Sequence, residues 1–365
     1  MKSYRAHLLA AGVIGLGTAL AAPSQAAETR VLETGSSLLY PLFNLWVPAY
    51  TKDHKVEITT QSTGSGTGIS EAVSGLAQIG ASDAYLSPAM RKQHANMLNI
   101  PLAISSQMVN YNLPELNGRL PELNGRHLKL SGPVLAGIYD GTITDWDNKQ
   151  IARLNPGVKL PHHAIIPIHR TDGSGDTFIF TQFLSDSTPH WQQAHGYGTT
   201  ISWPAIQSEI GAEGNQGMVN ALQQNPYSVA YIGISYKGAI TQNKLGEAAL
   251  ENRAGKFVLA NDKTVQAAAA ALGGKTPADE AVSLIFQPGA ESYPIINYEY
   301  AIVDAQMGNP PARDVRDFLS WSIRPDGGNA PHFMNQVNFV ALPAAVRRLS
   351  QKQINEIGKE QNASN

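Results

Sequence analysis

Residues 56–83 read VEITTQSTGSGTGISEAVSGLAQIGASD, and this stretch decides the fold. The apolar alternation in Val56 to Thr60 predicts a strand, and the spacing of apolar residues in Gly68 to Leu76 predicts a helix. Ile79 to Ala81 predict a second strand. A glycine- and hydroxyl-rich turn joins the first strand to the helix, which is typical of a β-α-β unit.

The segments on either side of this stretch continue the alternation. Upstream, Val31-Leu32 predicts a strand and Pro41 to Tyr50 predicts a helix, which completes a β-α-β-α-β order. That order predicts a parallel sheet covered by helices on both sides, with ligands collecting beyond the carboxyl ends of the strands. Further candidate elements lie downstream, at Pro133 to Tyr139, Ile165 to His169, Thr177 to Leu184, Val229 to Ile234, Ile295 to Val303 and Ala312 to Ile323. We expect the chain to visit one lobe, cross to a second and return.

The composition is that of a folded protein with few charges. The chain has 365 residues, with 27 basic and 29 acidic side chains and no cysteine. This length suits two lobes or one large one. The near-neutral charge argues against nucleic-acid binding, because that depends on many Lys and Arg side chains that neutralise phosphates. The lack of cysteine excludes disulfides, thiolate metal sites, a cysteine nucleophile and a lipidated N-terminal cysteine, so no lipoprotein anchor is expected.

The N-terminal residues have the three parts of a secretory signal peptide. Lys2 and Arg5 precede an apolar run from Leu8 to Ala22, and residues 23–26 (PSQA) form a small-x-small cleavage site before Ala27. The apolar run is shorter than the ~20 residues that a membrane-spanning helix needs. The alternative is a buried N-terminal helix. The sequence therefore predicts that residues 1–26 are removed on export, and a bacterial periplasm fits best.

Three segments rich in glycine and hydroxyl residues each lie between a predicted strand and a predicted helix. They are residues 33–41 (ETGSSLLYP), 63–68 (TGSGTG) and 170–177 (RTDGSGDT). Glycine lets backbone N–H groups approach a ligand, and the unpaired N–H groups at a helix start favour anions. One such loop is weak evidence, since glycine turns and Ser or Thr caps are common. Three in one chain predict an oxyanion site.

Arg170 opens the third of these loops. Its guanidinium offers a permanent positive charge and a planar fork that matches two oxygens of a tetrahedral anion. The alternative is a surface arginine, and in either case we expect Asp172 to pair with it. Ser65 and Ser174 are candidate hydroxyl donors and also candidate helix caps, and the sequence leaves both roles open.

Asp83 follows the predicted strand Ile79 to Ala81 and is unexpected in an anion site. A carboxylate there repels an anion unless that anion carries a hydrogen to donate, as phosphate does near neutral pH and sulfate does not. Sulfate would leave a buried acceptor unpaired, at a cost of ~1–3 kcal/mol or more. Such a site discriminates by roughly 10⁴-fold. The alternatives are that Asp83 caps the following turn or ligates a metal.

Residues 113–119 and 120–126 are identical copies of LPELNGR. Two copies are too few to stack into a core of their own. They predict a duplicated surface loop that the protein can lose without harm.

The chain resembles the PstS-type periplasmic phosphate-binding proteins of high-affinity phosphate ABC transporters in four segments. In chain order these are GSSLLYP (35–41), TGSGTG (63–68), IGASDAYLS (79–87) and HRTDGSGDTF (169–178). Residues 140–161 and 293–303 also resemble that family, so the likeness spans the mature chain. The pair HRTDGSG and GASD is far more selective than a glycine motif alone.

The resemblance implies an α/β, two-lobed periplasmic binding protein fold, in which mixed sheets are flanked by helices. Lobe I would comprise residues 27–111 plus 293–365, and lobe II residues 112–292. Two crossing hinge segments would lie near Asn110-Tyr111 and Tyr293-Pro294. The ligand cleft would lie between the lobes.

The resemblance also implies which residues contact phosphate. The backbone N–H groups of the first loop and side-chain or helix-start groups of the others would bind the ligand, and the residues concerned are Leu38, Leu39, Tyr40, Ser65, Asp83, Arg170, Ser174, Gly175 and Asp176. Two positions depart from the family. Leu39 replaces a frequent threonine, so the backbone alone serves there or Ser37 substitutes. Asp176 also replaces a frequent threonine, and its carboxylate would either accept a second phosphate hydrogen or turn aside while its N–H binds.

The function implied is capture of inorganic phosphate for delivery to an inner-membrane ABC permease with two transmembrane subunits and an ATPase. Such a protein is a monomer, needs no cofactor and is not an enzyme. Three alternatives stay open. One is a secreted phosphomonoesterase, since His169 is close to Ser174 in the chain; another is a binding protein for a different oxyanion; the third is an adhesion protein that keeps the fold.

Overall fold

The structure is a computed structural model and describes residues 29–116, 127–272 and 274–359. The predicted signal peptide at 1–26 lies outside the described residues, as does most of the LPELNGR pair, from residue 117 to residue 126. Among the helices of the described residues, none is both long enough and apolar enough to cross a bilayer.

Most strands of the described residues join one large sheet. In chain order the strands are β1 Thr29–Gly35, β2 Val56–Ser62, β3 Ile79–Ser82, β4 Met97–Asn112, β5 Lys129–Leu130, β6 Ile166–Arg170, β7 Ile210–Ala212, β8 Ser228–Gly233, β9 Gly246–Glu247, β10 Ala249–Glu251, β11 Phe257–Val258 and β12 Ile296–Asp304. The large sheet has the order β2-β1-β3-β12-β4-β8-β6-β7, with β9 paired to β4. A small sheet has the order β11-β10-β5.

Helices pack against these strands and join many of them. In chain order they are α1 Tyr40–Thr51, α2 Ser65–Ser74, α3 Pro88–Gln93, α4 Gly132–Tyr139, α5 Lys149–Leu154, α6 Gly175–Ser187, α7 Pro189–Ala194, α8 Gly214–Gln224, α9 Lys237–Gln242, α10 Asp262–Ala271, α11 Pro311–Ser322, α12 Pro331–Val337 and α13 Ala344–Ile354. The predicted strands and helices exist, with ends that differ by a few residues; α2, for example, begins at Ser65 rather than Gly68.

The three strands of the β-α-β-α-β segment, β1, β2 and β3, are parallel as predicted, and the large sheet as a whole is mixed, as the family resemblance implies. β1 runs parallel to β2 and β3, and β6 runs parallel to β7 and β8. Between these groups, β12 is antiparallel to β3 and β4, and β4 is antiparallel to β8. A crossover helix fixes the sense only of the two strands that it joins, and β4 and β12 enter the sheet through other connections.

Strand β4 links the two halves of the large sheet. Its pairing with β12 runs up to Ser106, which lies opposite Ile296. From Gln107, which lies opposite Gly233, its partner is β8. Every residue of the strand is buried except the half-buried Leu98. One continuous strand therefore exchanges its partner between residues 106 and 107.

An aromatic cluster fixes α1 against α11. The ring centroids of Trp46 and Trp321 lie 6.4 Å apart and those of Tyr50 and Phe318 lie 5.1 Å apart, in edge-on and near edge-on contacts. Trp46 Nε1 donates to the Gly328 carbonyl at 2.8 Å. Edge-on aromatic pairs add ~0.5–1.5 kcal/mol to the burial of their area. The start of α1 is therefore held by packing at the far end of the helix.

Candidate anion-binding site

The loops that carry the predicted site residues face one another because of how β4 is shared. β1, β2 and β3 run in the same direction as β4, whereas β6 and β8 run against it. The first group lies along the N-terminal part of β4 and the second along its C-terminal part. The carboxyl ends of the two groups therefore point toward each other, at the level where β4 exchanges partners. Ligands of α/β proteins bind at such strand ends.

Asp83 follows β3 and is 2% exposed. Ser36 Oγ donates a hydrogen bond to its Oδ1, and Ser65 Oγ donates to its Oδ2 at 3.3 Å. The Asp83 backbone N–H donates back to Ser65 Oγ at 3.2 Å. Burial raises the pKa of Asp83, while hydrogen bonds from Glu299 and Ser36 and the positive charge of Arg170 oppose that rise. The structure thus holds an acceptor carboxylate among hydroxyl donors.

Arg170 ends β6 and is 3% exposed, so the alternative of a surface arginine is wrong. Its Nε donates to Asp172 Oδ1 at 2.7 Å, and its Nη2 donates to Asp172 Oδ2. The predicted pair is present, and it uses one edge of the guanidinium in a two-point contact. Nη1, on the other edge, donates to Asp176 Oδ2 at 2.7 Å. The fork is held rigidly between two carboxylates.

Asp176 lies in the first turn of α6 and is 1% exposed. Besides Arg170, its carboxylate receives Asn215 Nδ2 at 2.7 Å and Gln107 Nε2 at 3.1 Å. Burial raises the pKa of Asp176 to about 7, the negative charge of Asp83 adds to the rise, and Arg170 opposes it. The group therefore changes charge near neutral pH. Its carboxylate occupies donors that a bound anion could also use.

The first loop is organised around Ser36. Its Oγ accepts the N–H groups of Leu38 at 3.1 Å and Leu39 at 3.0 Å, and its carbonyl accepts the N–H of Tyr40 at 3.0 Å. Ser37, the candidate substitute for the missing threonine, accepts Asn215 N–H at 3.0 Å and is buried. The predicted N–H donors thus lie at the site edge, next to the hydroxyl that bonds Asp83.

The structure separates the capping and site roles that the sequence left open. Ser174 is the N-cap of α6 and accepts a first-turn N–H at 3.2 Å. Ser65 is not a cap, because its hydroxyl bonds Asp83 and the residue before it ends the loop. Ser82 Oγ, rather than Asp83, accepts the N–H of Ala84 at 3.0 Å. Ser65 and Asp83 therefore bond to each other and cap no described helix or turn.

The second and third loops touch across the site. Gly66 N–H donates to the Gly173 carbonyl at 2.8 Å. Gly175 has so little room that a Cβ placed on it would lie 2.4 Å from Asp83 Oδ2 and 2.5 Å from Ser65 Oγ. The N–H groups of the first turn of α6 have no acceptor within the helix, because the first turn of a helix leaves such donors unpaired. The first turn of α6, with these N–H donors, therefore lies next to the Asp83 carboxylate.

Three further polar residues lie at the site and were not predicted from the sequence. Ser36 bonds Asp83, while Gln107 from β4 and Asn215 from α8 bond Asp176. Asn215 has a local signal in the sequence, since it follows Gly214, which begins α8 two residues after β7 ends. Gln107 has none, because it lies inside a buried strand.

This arrangement can bind an anion but favours one particular kind. Arg170, Asn215, the hydroxyls and the start of α6 supply donors, and Asp83 and Asp176 supply acceptors. A tetrahedral anion with hydrogens of its own can satisfy both sets, whereas one without hydrogens leaves the carboxylates facing its oxygens.

Comparisons with known proteins identify the family of this chain. The model of the PBP superfamily domain matches residues 21–326. The phosphate-binding protein PstS of Methanocaldococcus jannaschii is 33% identical over 369 residues, covering 95% of this chain and 91% of that protein. PstS of Pasteurella multocida is 33% identical over 320 residues, covering 87% of this chain and 88% of the relative.

Solved structures share the fold. A high-affinity periplasmic phosphate-binding protein, PfluDING, solved with bound phosphate, has a TM-score of 0.68 at 18% identity and covers 91% of this chain and 100% of its own. The phosphate-binding protein of Stenotrophomonas maltophilia has a TM-score of 0.66 at 20% identity, covering 89% and 93%. The two-lobed α/β periplasmic binding protein fold is confirmed. The chain belongs to the PstS phosphate-binding proteins of the PBP superfamily.

Proposed function

We propose that this protein captures inorganic phosphate in the site between Asp83 and Arg170 and delivers it to an ABC permease. The observation that carries the proposal is a buried carboxylate, Asp83, placed among hydroxyl, guanidinium and helix-start donors. A donor-rich site selects an anion, and an acceptor within it selects an anion that carries hydrogen. Phosphate near neutral pH meets both conditions, and the curated PstS relatives are named for binding it.

The site roles are part of this proposal. The donors to phosphate are the N–H groups of Leu38, Leu39 and Tyr40, the guanidinium of Arg170, and groups of Ser65, Ser174, Gly175 and Asp176. Asp83 accepts the phosphate hydrogen. Sulfate and molybdate, which lack that hydrogen near neutral pH, are excluded by the same carboxylate.

Movement of two lobes would open and close the site. We assign residues 27–111 plus 293–365 to lobe I and residues 112–292 to lobe II. The exchange of partners in β4 after Ser106 and the hydrogen bond from Gln107 N–H to the Ile295 carbonyl at 3.0 Å lie within a few residues of these proposed crossings. Closure replaces the water around phosphate with convergent protein donors, and the closed form is the one that a permease recognises. The energy for transport comes from the partner ATPase.

Export to the periplasm follows from the N-terminal sequence. The basic residues, apolar run and small-residue cleavage site of residues 1–26 favour a cleaved signal peptide. Without cysteine, no lipid anchor forms on the mature N-terminus. We propose that the mature protein is a monomeric periplasmic receptor.

Catalysis is not part of the proposal. His169, the candidate base for Ser174, stacks on Trp203 with 5.0 Å between ring centroids, and its Nδ1 lies 3.1 Å from the Arg170 carbonyl. Because successive side chains of a strand point to opposite faces, His169 and Arg170 lie on opposite faces of β6, and the Ser174 hydroxyl caps α6. Incubation with p-nitrophenyl phosphate at high protein concentration should release no p-nitrophenol.

Titration calorimetry of ligand-stripped protein tests the function directly. We expect tight binding of phosphate and arsenate, both of which carry hydrogen near neutral pH, and no measurable binding of sulfate. Equal binding of sulfate and phosphate would contradict the proposal. A titration in which none of these three anions bound would also contradict the proposal.

Phosphate affinity should fall as the pH rises through 7, and Asp176→Asn should flatten that fall. Above its pKa of about 7, Asp176 is ionised, and a bound phosphate must then face a second negative charge or bring a proton. Linkage of one proton gives a loss of up to about tenfold in affinity per pH unit. Titration calorimetry from pH 6 to pH 9 measures the slope, and Asp53→Asn, which changes an exposed acid, is the control.

Thermal unfolding of the unchanged protein and of Asp176→Asn, both without phosphate, tests the titration of Asp176 independently. Because burial raises the pKa of Asp176 in the folded state above its unfolded value, the stability that this group contributes is full below the unfolded pKa and is lost as the pH rises through 7. Asp176→Asn should therefore gain stability over the unchanged protein between pH 6 and pH 8. A constant difference across that range would show that Asp176 does not titrate there.

A further inference from the structure

Glu299 is a buried acid that the proposed site does not use, and it lies beside Asp83 in the sheet. β12 pairs antiparallel with β3, with Tyr300 opposite Ser82 and Ala301 opposite Ala81. Continuing that register by one residue places Glu299 opposite Asp83. Opposing residues of an antiparallel pair project to the same face with Cβ atoms ~4.5–5.5 Å apart. The fold itself therefore brings the two carboxyl groups together.

A β-bulge lies at the same position. Along β4, Tyr300 is opposite Pro101 but Glu299 is opposite Ala103, so the register shifts between them. Bulges bend a strand and re-aim the side chains next to functional sites. Here the irregularity falls at the residue that lies next to the proposed phosphate acceptor.

The contacts of Glu299 require a proton. The residue is 0% exposed, and its Oε1 accepts Ser105 Oγ and Asn297 Nδ2, the latter at 3.1 Å. Among the described residues, no N–H or O–H group donates to Oε2. Asn297 Nδ2 also donates to the backbone carbonyl of Asp83 at 3.2 Å, so this shared donor and the strand register hold Asp83 and Glu299 side by side, and their carboxyl groups act directly on each other. Two buried carboxylates in contact cannot both be ionised, so one hydrogen lies between them.

The surroundings place that hydrogen on Glu299. Asp83 faces Arg170 and receives the hydroxyls of Ser36 and Ser65, all of which favour its charged form. Within the described part of the chain, the groups that act on Glu299 are Asp83 and the two donors to its Oε1, and none of them is a cation. Burial raises the pKa of Glu299 well above its ordinary value, and the charge of Asp83 raises it further. Asp176, on α6, acts on Asp83 from the opposite side of the site.

We propose that Glu299 is a positioning residue that stays protonated and donates its carboxyl hydrogen to Asp83, which keeps Asp83 ionised and oriented as an acceptor. This inference rests on the proposed function, because it explains how the acceptor for a hydrogen-bearing oxyanion is preserved in a buried site. Without the Glu299 hydrogen, Asp83 would itself take up a proton more readily. A protonated Asp83 would be a donor, and the basis for excluding sulfate would be lost.

Two variants of nearly equal size separate this role from packing. Glu299→Gln keeps a donor toward Asp83 and an acceptor toward Ser105, whereas Glu299→Met keeps neither. Titration calorimetry near neutral pH should give Glu299→Gln the phosphate affinity of the unchanged protein. Glu299→Met should bind phosphate roughly 10- to 100-fold more weakly, because an ionised acceptor loses a hydrogen bond. It should also gain sulfate binding that strengthens as the pH falls.

The alternative outcomes are distinct. If Glu299 were ionised, Glu299→Gln would remove a negative charge from the site and bind phosphate more tightly than the unchanged protein. If Glu299 served only packing, Glu299→Met, which is nearly equal in size, would bind phosphate as the unchanged protein does and would admit no sulfate at any pH. Either result overturns the inference.

Infrared difference spectroscopy locates the proton without relying on ligand binding, and it decides the question even if Glu299→Met does not fold. The spectrum of the unchanged protein minus that of Glu299→Gln should contain the C=O stretch of a protonated carboxylic acid near neutral pH. Loss of carboxylate bands instead would overturn the inference. If the unchanged protein bound no phosphate, the proposed function would fail while the infrared result still stood.

Discussion

An Asp83→Asn variant should bind sulfate, and its preference for phosphate over sulfate should fall by about 10³- to 10⁴-fold. Asp83 Oδ1 accepts the Ser36 hydroxyl, so the oxygen of the new amide takes that position. The amide nitrogen then takes the position of Oδ2, 3.3 Å from Ser65 Oγ and next to Gly175. In Asp83→Asn an amide N–H donor thus replaces a carboxylate acceptor at the position that faces a ligand oxygen.

Phosphate itself should still bind to Asp83→Asn, because its dianion consists of acceptors apart from one hydrogen. The variant also removes a charge that raises the pKa of Asp176, so that group should ionise at lower pH than in the unchanged protein. Competition calorimetry with sulfate and phosphate measures the ratio, and Asp53→Asn provides a matched change at an exposed acid. Continued exclusion of sulfate by Asp83→Asn would mean that selectivity does not come from this carboxylate.

Gly175→Ala should weaken phosphate binding by about 100-fold or more while leaving the fold intact. The added Cβ would lie 2.4 Å from Asp83 Oδ2 and 2.5 Å from Ser65 Oγ, well inside contact distance. Overpacking at such positions costs ~1–3 kcal/mol and sometimes more. Because Gly175 and Asp83 come from opposite halves of the molecule, the cost falls on the state in which the halves meet.

Gly217→Ala is the matched control, since its Cβ would lie no closer than 3.8 Å to other atoms. Calorimetry measures the affinity, small-angle scattering measures whether phosphate makes the protein more compact, and thermal unfolding without ligand checks the fold. Alanine is favoured over glycine within helices, so neither variant should lose helical structure. Unchanged phosphate affinity in Gly175→Ala would contradict a site that forms by closure at this contact.

The sequence was informative where local chemistry marks a junction. Glycine, serine and proline mark the turns from strand to helix, so the loops holding Ser65 and Arg170 could be located from a few adjacent residues. The Arg170–Asp172 pair could be predicted because its members are two residues apart and the structure forms it with a two-point contact. Asp83 could be singled out because a carboxylate is unusual at the end of an apolar strand.

The rest of the site depends on pairings that are distant in sequence. β4 lacks apolar alternation because it is buried on both faces, and it contains Pro101 and a run of polar residues at 105–107. Gln107 and Glu299 reach the site only through the partners of β4 and β12, and those partners were not predictable from either segment alone. For the same reason the sequence could not predict that antiparallel strands separate the two parallel groups.

The shared strand β4 means that the protein cannot be divided into two independent modules. Cutting the chain between Ser106 and Gln107 would give each fragment a normally buried strand end with no neighbour, and such unpaired edges drive intermolecular association. We expect each fragment to aggregate when expressed separately and the pair to need co-expression for recovery. Fusion designs that insert a reporter into this protein are better placed in exposed turns than at the boundary between the halves.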